Sequence, residues 1–235
     1  MNTLQRNIVK DLKQVSNPQK VETFKWFFKT GKGEYGEGDV FIGITVPNLR
    51  NISKRYCNVI SLSELEYFIT SEIHEYRLFA LLTLTYMKLD EDIYEFYIGH
   101  WKYINNWDLV DLSASKIVGK YLKDKDRSLI YEYAKSSSLW KQRISIISTH
   151  EYISENDFHD TLAISEILVR SSHDLIQKAV GWMLREVGKR DQNVEEDFLK
   201  RYYKVMPRTM LRYAIERFDE EKRKMYLNGL IPSSI

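Results

Sequence analysis

Apolar residues at helical spacing return at a nearly constant interval over the last two thirds of this chain, and that recurrence restricts the fold more than any other feature. The segments begin near Glu72 (EIHEYRLFALLTLTYM), Asn106 (NWDLVDLSASKIVGKYL), Leu139 (LWKQRISIISTHEYI), Asp174 (DLIQKAVGWMLREVGK) and Pro207 (PRTMLRYAIERF), starts that lie 34, 33, 35 and 33 residues apart. Each follows a shorter helical segment and a charged turn such as KLDED, KDKD or DQNVEED. A period of this size is that of stacked helical pairs, none of which can bury its apolar face alone. The units share little sequence and lack the small and aromatic signature of tetratricopeptide repeats, so the pattern predicts an all-α, HEAT-like repeat solenoid of stacked antiparallel helix pairs. In such an α-α superhelix the second helix of each pair lines the concave side, and unusual residues on those helices are the ones to inspect.

Composition agrees. The 235 residues hold only 10 Gly and 4 Pro, with 16 Tyr and 5 Trp, which favours helices over turns. The single cysteine, Cys57, excludes an internal disulfide framework and fits a reducing compartment. With no apolar run of bilayer length and no signal-type segment in MNTLQRNIVKDLKQV, a cytoplasmic protein with no membrane partner is expected. Net charge is only +2, but between Lys178 and Lys224 there are 13 Lys/Arg against 9 Asp/Glu, so the concave face is expected to be basic toward the C-terminus. The chain reads as one domain over residues 1–235, interrupted by a glycine-rich strap at about 31–46 that holds five of the glycines. That strap lacks the spacing of either glycine-rich nucleotide motif and no strand leads into it, so it is expected to be a mobile connection.

Candidate functional residues sit on the second helices. With a helical period through Ile104–Tyr121, Trp107, Val110, Ala114, Ile117, Val118 and Tyr121 share one face, and Asp111 falls inside that apolar arc. A carboxylate there needs a buried partner or a cleft in which its charge has a use. In the next unit Arg143 lies along the stripe of Trp140, Ile144 and Ile147, so a buried pair with Asp111 and a phosphate-gripping guanidinium are both open. In the fourth unit Lys178, Trp182, Arg185 and Lys189 form a stripe away from the apolar face, and a tryptophan among cations suits a sugar, a base or another protein. The five histidines show no metalloprotease spacing and there is no nucleophile-elbow motif, so neither a metal nor a cofactor is expected.

The stretches NPQKVETFKWFFKT, FIGITVPNLR, HEYRLFALLTL, NNWDLVDL, LWKQRISIIS and QKAVGWMLREVGK together resemble the AlkD-type DNA alkylation repair proteins, HEAT-like DNA glycosylases that remove N3- and N7-alkylated purines. The resemblance implies that Asp111 is the catalytic carboxylate, that Trp107 and Trp182 flank the sugar of the damaged nucleotide, and that Arg143 contacts the DNA backbone. Lys178, Arg185 and Lys189 would extend that contact. Where the family has a tyrosine in the second helix this chain has Phe27, with Trp26 beside it, and the pair would also face DNA. The family is further implied to leave the base in the duplex and to read the lesion through backbone and sugar, on a surface with no deep pocket.

The chemistry fits these residue types. Alkylation at N3 or N7 makes the purine a cationic leaving group that needs no general acid, and an oxocarbenium-like sugar remains to be stabilised. A carboxylate in a cleft of low dielectric does this and positions water, while each indole face adds about 0.5–2 kcal/mol toward the developing cation. The expectation is a monomeric glycosylase without lyase activity acting on duplex DNA. The alternative is a non-catalytic helical-repeat module that binds nucleic acid or protein.

Overall fold

The computed structural model describes residues 1–232 and is helical throughout, with no β-strand among the described residues. It divides into two compact units, Met1–Tyr121 and Leu122 onward. No helix among the described residues is long and apolar enough to cross a membrane.

Unit 1 contains α1 (Thr3–Gln14), α2 (Val21–Phe27), α3 (Val46–Tyr56), α4 (Leu62–Ile69), α5 (His74–Tyr86), α6 (Glu91–Gly99) and α7 (Trp107–Asp111). Capping boxes start α1 and α4, where Asn2 with Gln5 and Ser61 with Glu64 satisfy first-turn N–H groups reciprocally. The α5 helix is buried almost all round and packs against α3, α4 and α7. A three-residue helix, α8 (Lys120–Leu122), crosses into unit 2. There α9 (Ser128–Lys135), α10 (Leu139–Ser148), α11 (His150–Ile153), α12 (His159–Leu168), α13 (Asp174–Arg190), α14 (Gln192–Tyr202), α15 (Arg208–Ala214) and α16 (Glu220–Leu227) follow. The central α13 packs on α10, α12, α14 and α15.

The repeat is written in the way its second helices begin. Ahead of α5, α10 and α13, a serine hydroxyl accepts the N–H two residues on: Ser71 from Ile73 (3.0 Å), Ser136 from Ser138 (3.1 Å), Ser171 from His173 (3.4 Å). The fourth residue of each helix then donates its side chain to that serine's carbonyl, from Arg77 (2.8 Å), Gln142 (2.7 Å) and Gln177 (2.9 Å). Groups left unsatisfied by the turn into the helix are thus paired in the same manner three times.

The helix expected from Asn106 to Leu122 is interrupted. After α7 the chain makes a turn at Leu112 and Ser113, then a π-helical turn over Ser115–Gly119 before α8. At the first break the Ser113 hydroxyl donates to the Leu109 carbonyl, and its N–H turns to Val110 O at 3.1 Å. With the period broken, the buried stripe becomes Leu109, Val110, Ala114, Ile117 and Val118, while Trp107 and Tyr121 are only half-buried. Asp111, on the same side of α7 as Trp107, is likewise half-buried. The acid that is buried on α7 is Asp108, 4% exposed.

The strap is pinned over its second half. Val40 forms a single bridge with Ile73, its N–H donating to Glu72 O (3.1 Å) and its carbonyl accepting from His74 N (2.8 Å). The buried Glu75 carboxylate accepts the N–H groups of Ile42 (3.1 Å), Gly43 (2.7 Å) and Ile44 (3.1 Å). Gly43 has φ +80°, and a Cβ there would lie 2.0 Å from Asn17 O, so only glycine fits. The expected mobile connection is therefore a fastened one from Asp39 to Ile44.

Candidate functional site: an aromatic cavity and a paired cationic stripe

In unit 1 the pinned strap, α2, α5 and α7 enclose a cavity of about 420 Å³. Trp107 stacks on Phe28 (5.4 Å between centroids, 22°), Phe28 on Phe41 (5.1 Å, 13°), and Phe41 on the His74 ring (4.6 Å, 26°). Ile44 and Leu78 add aliphatic wall, and the exposed Phe27 touches Trp107 edge-on at 5.6 Å. Asp111, one helical turn from Trp107, lines the same cavity, as does Asp108.

Behind the aromatic wall lies a charge network absent from the sequence reading. His74, 1% exposed, donates Nδ1 to Asp39 (3.1 Å) and Nε2 to Asp108 (2.9 Å). Arg77 Nη2 donates to the other Asp39 oxygen at 2.6 Å, and the amides of Asn105 (3.3 Å) and Asn106 (3.4 Å) reach the same carboxylate. Burial works to lower the His74 pKa, but the Asp108 charge and the hydrogen bonds to Asp108 and Asp39 override it and raise it to about 9. Burial likewise works to raise Asp39, yet hydrogen bonding to His74 and the Arg77 charge hold it below its ordinary value. The imidazolium therefore ties the strap, through Asp39, to the first turn of α7, through Asp108. Asn106 caps that turn, its side chain accepting Trp107 N at 2.8 Å. The network fixes the piece of backbone that carries Trp107 and Asp111.

Trp26 lies outside the cavity lining, 73% exposed, with Lys29 Nζ 5.4 Å from its ring centroid. Phe27, 51% exposed, joins it to the rim.

The remaining sequence candidates lie in unit 2. Arg143 on α10 is 4% exposed and donates Nη1 to the Leu175 carbonyl of α13. Trp182 on α13 is half-buried, not solvent-facing: its indole N–H donates to Glu186 Oε1 (3.0 Å), and its ring lies 6.1 Å from that of His150. The cations on either side have acidic neighbours. Lys178 pairs with Asp174 (2.6 Å), Lys189 with Glu186 (2.7 Å), and Arg185 with both Glu186 (3.4 Å) and Glu216. Burial works to raise Glu186, and the Lys189, Trp182 and Arg185 contacts outweigh it and lower its pKa. The structure thus brings Phe27, Trp107 and Asp111 together within unit 1, and Lys178, Trp182, Arg185 and Lys189 together on one helix of unit 2.

His74 and Asp108 could have been found from the sequence, because they stand 34 residues apart at the starts of successive second helices, whereas Asp39 lies in the strap and carries no repeat signal. Glu75 and the Phe28–Phe41 stack carry no such signal, since the strap brings them together at no fixed spacing.

The model of the family described as DNA alkylation repair enzyme matches residues 8–218. Among solved structures, one described as a predicted DNA alkylation repair enzyme from Enterococcus faecalis is similar at TM-score 0.69 and 18% identity, covering 87% of this chain and 97% of that one. AlkD2 from Streptococcus mutans is similar at TM-score 0.58 and 16% identity, covering 86% of this chain and 98% of that one. At these identities the likeness is one of fold. No curated protein matches in sequence.

Proposed function

This chain belongs to the DNA alkylation repair enzyme family, and on that premise we propose that it is a glycosylase hydrolysing the N-glycosidic bond of cationic N3- and N7-alkylated purines in duplex DNA. The observation that carries the reading is the pairing of Trp107 and Asp111 on the rim of an apolar cavity, on a helix start fixed by a buried ion network. A carboxylate held beside an indole in such surroundings stabilises an oxocarbenium-like sugar more strongly than it would in water, and can orient the attacking water. The leaving purine is already cationic, so no general acid is required. By the family resemblance, Trp182 contacts the sugar of the damaged nucleotide and Arg143 the DNA backbone. Lys178, Arg185, Lys189, Phe27 and Trp26 serve DNA binding. The protein acts in the cytoplasm as a monomer, and this chemistry calls for no metal or cofactor.

Release of N3-methyladenine or N7-methylguanine from methylated duplex DNA tests the reading. Asp111→Asn is expected to abolish release and spare DNA binding, and undiminished release by that variant rules out the role of Asp111. Arg143→Gln, in a variant whose thermal melt confirms folding, is expected to weaken binding and reduce its salt slope by about one phosphate contact.

The ion pairing of Lys178, Arg185 and Lys189 favours a second reading, a non-catalytic helical-repeat module. Absence of base release from every alkylated duplex, with binding retained, would decide for it.

A further inference from the structure

We propose that unit 2 holds the sugar-phosphate backbone of duplex DNA in a groove between the turns that lead into α10 and α13, where Lys135 and Arg170 each take a phosphate. The inference rests on the DNA-binding part of the reading above, and it adds residues that neither the apolar spacing nor the resemblance singled out. The groove encloses about 680 Å³ and lies within unit 2. Its two sides are one repeat apart: Lys135, Ser136 and Ser137 correspond to Arg170, Ser171 and Ser172 at an interval of 35 residues. The shared turn, fixed by the Ser136 and Ser171 hydroxyls, therefore sets a cation and a serine on each side of the groove.

The charges on these cations are uncommitted. Whereas Lys178, Arg185 and Lys189 are matched by acids, Lys135 and Arg170 are exposed and form no ion pair among the described residues. Glu132, one turn before Lys135, is exposed, and Glu166, one turn before Arg170, accepts the Tyr202 hydroxyl. No carboxylate is in the groove lining. The Gln142 amide donates to Ser136 O, and His173 Nδ1 accepts Leu175 N at 3.2 Å, which leaves the imidazole proton on Nε2. The Ser137 and Ser172 hydroxyls have no partner among the described residues. What the groove offers a ligand is thus positive charge and hydrogen-bond donors, over an apolar wall of Leu139, Leu168 and the 39% exposed Ile167. A phosphodiester with its deoxyribose matches both parts. The helices α10 and α13 pack directly, and packed helices lie about 8–10 Å apart, the length of about three nucleotides at roughly 3.4 Å per nucleotide of one strand. The two cations therefore answer two charges on one strand, which a small anion does not carry. Such contacts hold no sequence information, so the groove should grip undamaged and alkylated duplex alike.

Fluorescence anisotropy with an undamaged duplex reads this grip apart from base release. Each phosphate contact contributes about 0.9 to the salt slope, so Lys135→Gln with Arg170→Gln should flatten the slope by about two, and the wild type should lose about tenfold more affinity than the variant between about 50 and 200 mM salt. The charge-preserving exchange, Lys135→Arg with Arg170→Lys, should keep the wild-type slope. Lys10→Gln with Lys88→Gln removes the same charge from exposed positions of unit 1 and should flatten the slope less. His173 gives a local reading. Burial lowers its pKa against the Asp174 charge, and the Arg143 charge lowers it further, so a bound phosphodiester should move its ring titration to higher pH. An unchanged slope in the glutamine pair, equal flattening by the unit 1 pair, or a His173 titration moved by inorganic sulfate and not by duplex would each overturn the proposal. Base release from alkylated duplex with the slope unchanged in the glutamine pair removes the groove and leaves the glycosylase reading intact. The expected slopes without any base release do the reverse.

Discussion

The buried imidazolium gives the sharpest test of how unit 1 is held together. His74 is 1% exposed and faces Asp39 from the strap, Asp108 from α7, and Arg77 from its own helix, with Phe41 stacked on its ring and Phe28 tilted against it. Its pKa rises from 6.5 in the unfolded chain to about 9 in the folded one. A folded pKa above the unfolded value means that the native state binds the extra proton, so the stabilisation is fully present below pH 6.5 and is lost as pH climbs toward 9. At about 1.4 kcal/mol per unit the shift corresponds to about 3 kcal/mol. Denaturant unfolding of the wild type and of His74→Phe, measured at pH 6 and pH 9.5, should show the wild-type advantage shrinking by about that amount. In parallel, the ring resonance of His74 should not titrate between pH 5.5 and 8. A ring that titrates at or below pH 6.5, or an advantage equal at both pH values, refutes the imidazolium and with it the ionic clasp between strap and α7.

Glu195 on α14 is 2% exposed, its Oε1 has no hydrogen-bond partner, and burial, with the neighbouring Glu196 charge, pushes its pKa up to about 9. Its acid form is native, so stability falls as pH rises from 4.5 toward 9; Glu195→Gln should stabilise by about 1–3 kcal/mol at pH 7 and by little at pH 4.5, read from urea melts at both. Gly188→Ala should lower the melting temperature by several degrees, because a Cβ there would lie 1.7 Å from Glu195 Oε2. Gly43→Ala should cost about 3 kcal/mol or more, combining a positive φ with a 2.0 Å approach to the Asn17 carbonyl, and hydrogen exchange at Ile42–Ile44 should accelerate with it.

What the sequence disclosed follows from which interactions are local. Helix starts at His74, Trp107, Leu139, Asp174 and Arg208 fall within two residues of the starts read from apolar spacing, because each second helix must bury a stripe. On α7 the same reasoning put Asp111 on the face of Trp107, where both line the cavity half-buried, and did not find the buried Asp108. A helical period assumes an unbroken ladder, and the turn at Leu112 and Ser113 ends that face after Asp111. The α13 cations looked like a basic track because they were counted by sign; Asp174 and Glu186, within four residues on the same helix, were visible partners, whereas Glu216 is 31 residues from Arg185 and was not.

Three carboxylates line the cavity, and their surroundings assign them different work. Asp108 is bound to an imidazolium and Glu75 to three backbone N–H groups, so moving either would uncover buried donors at a cost of about 1–3 kcal/mol each. Neither can advance toward a reacting sugar without loosening the strap or α7. Asp111 is the half-buried member of the three, one turn from Trp107 and at the last position of α7, just before the turn at Leu112 and Ser113. A short helix of five residues has little rigidity of its own, and the clasp at its first turn supplies what the broken ladder at its end removes. Loosening that clasp by Asp108→Asn should therefore lower the rate of the chemical step more than the affinity for DNA, since it leaves Asp111 and Trp107 in place chemically and shifts only the backbone that aims them.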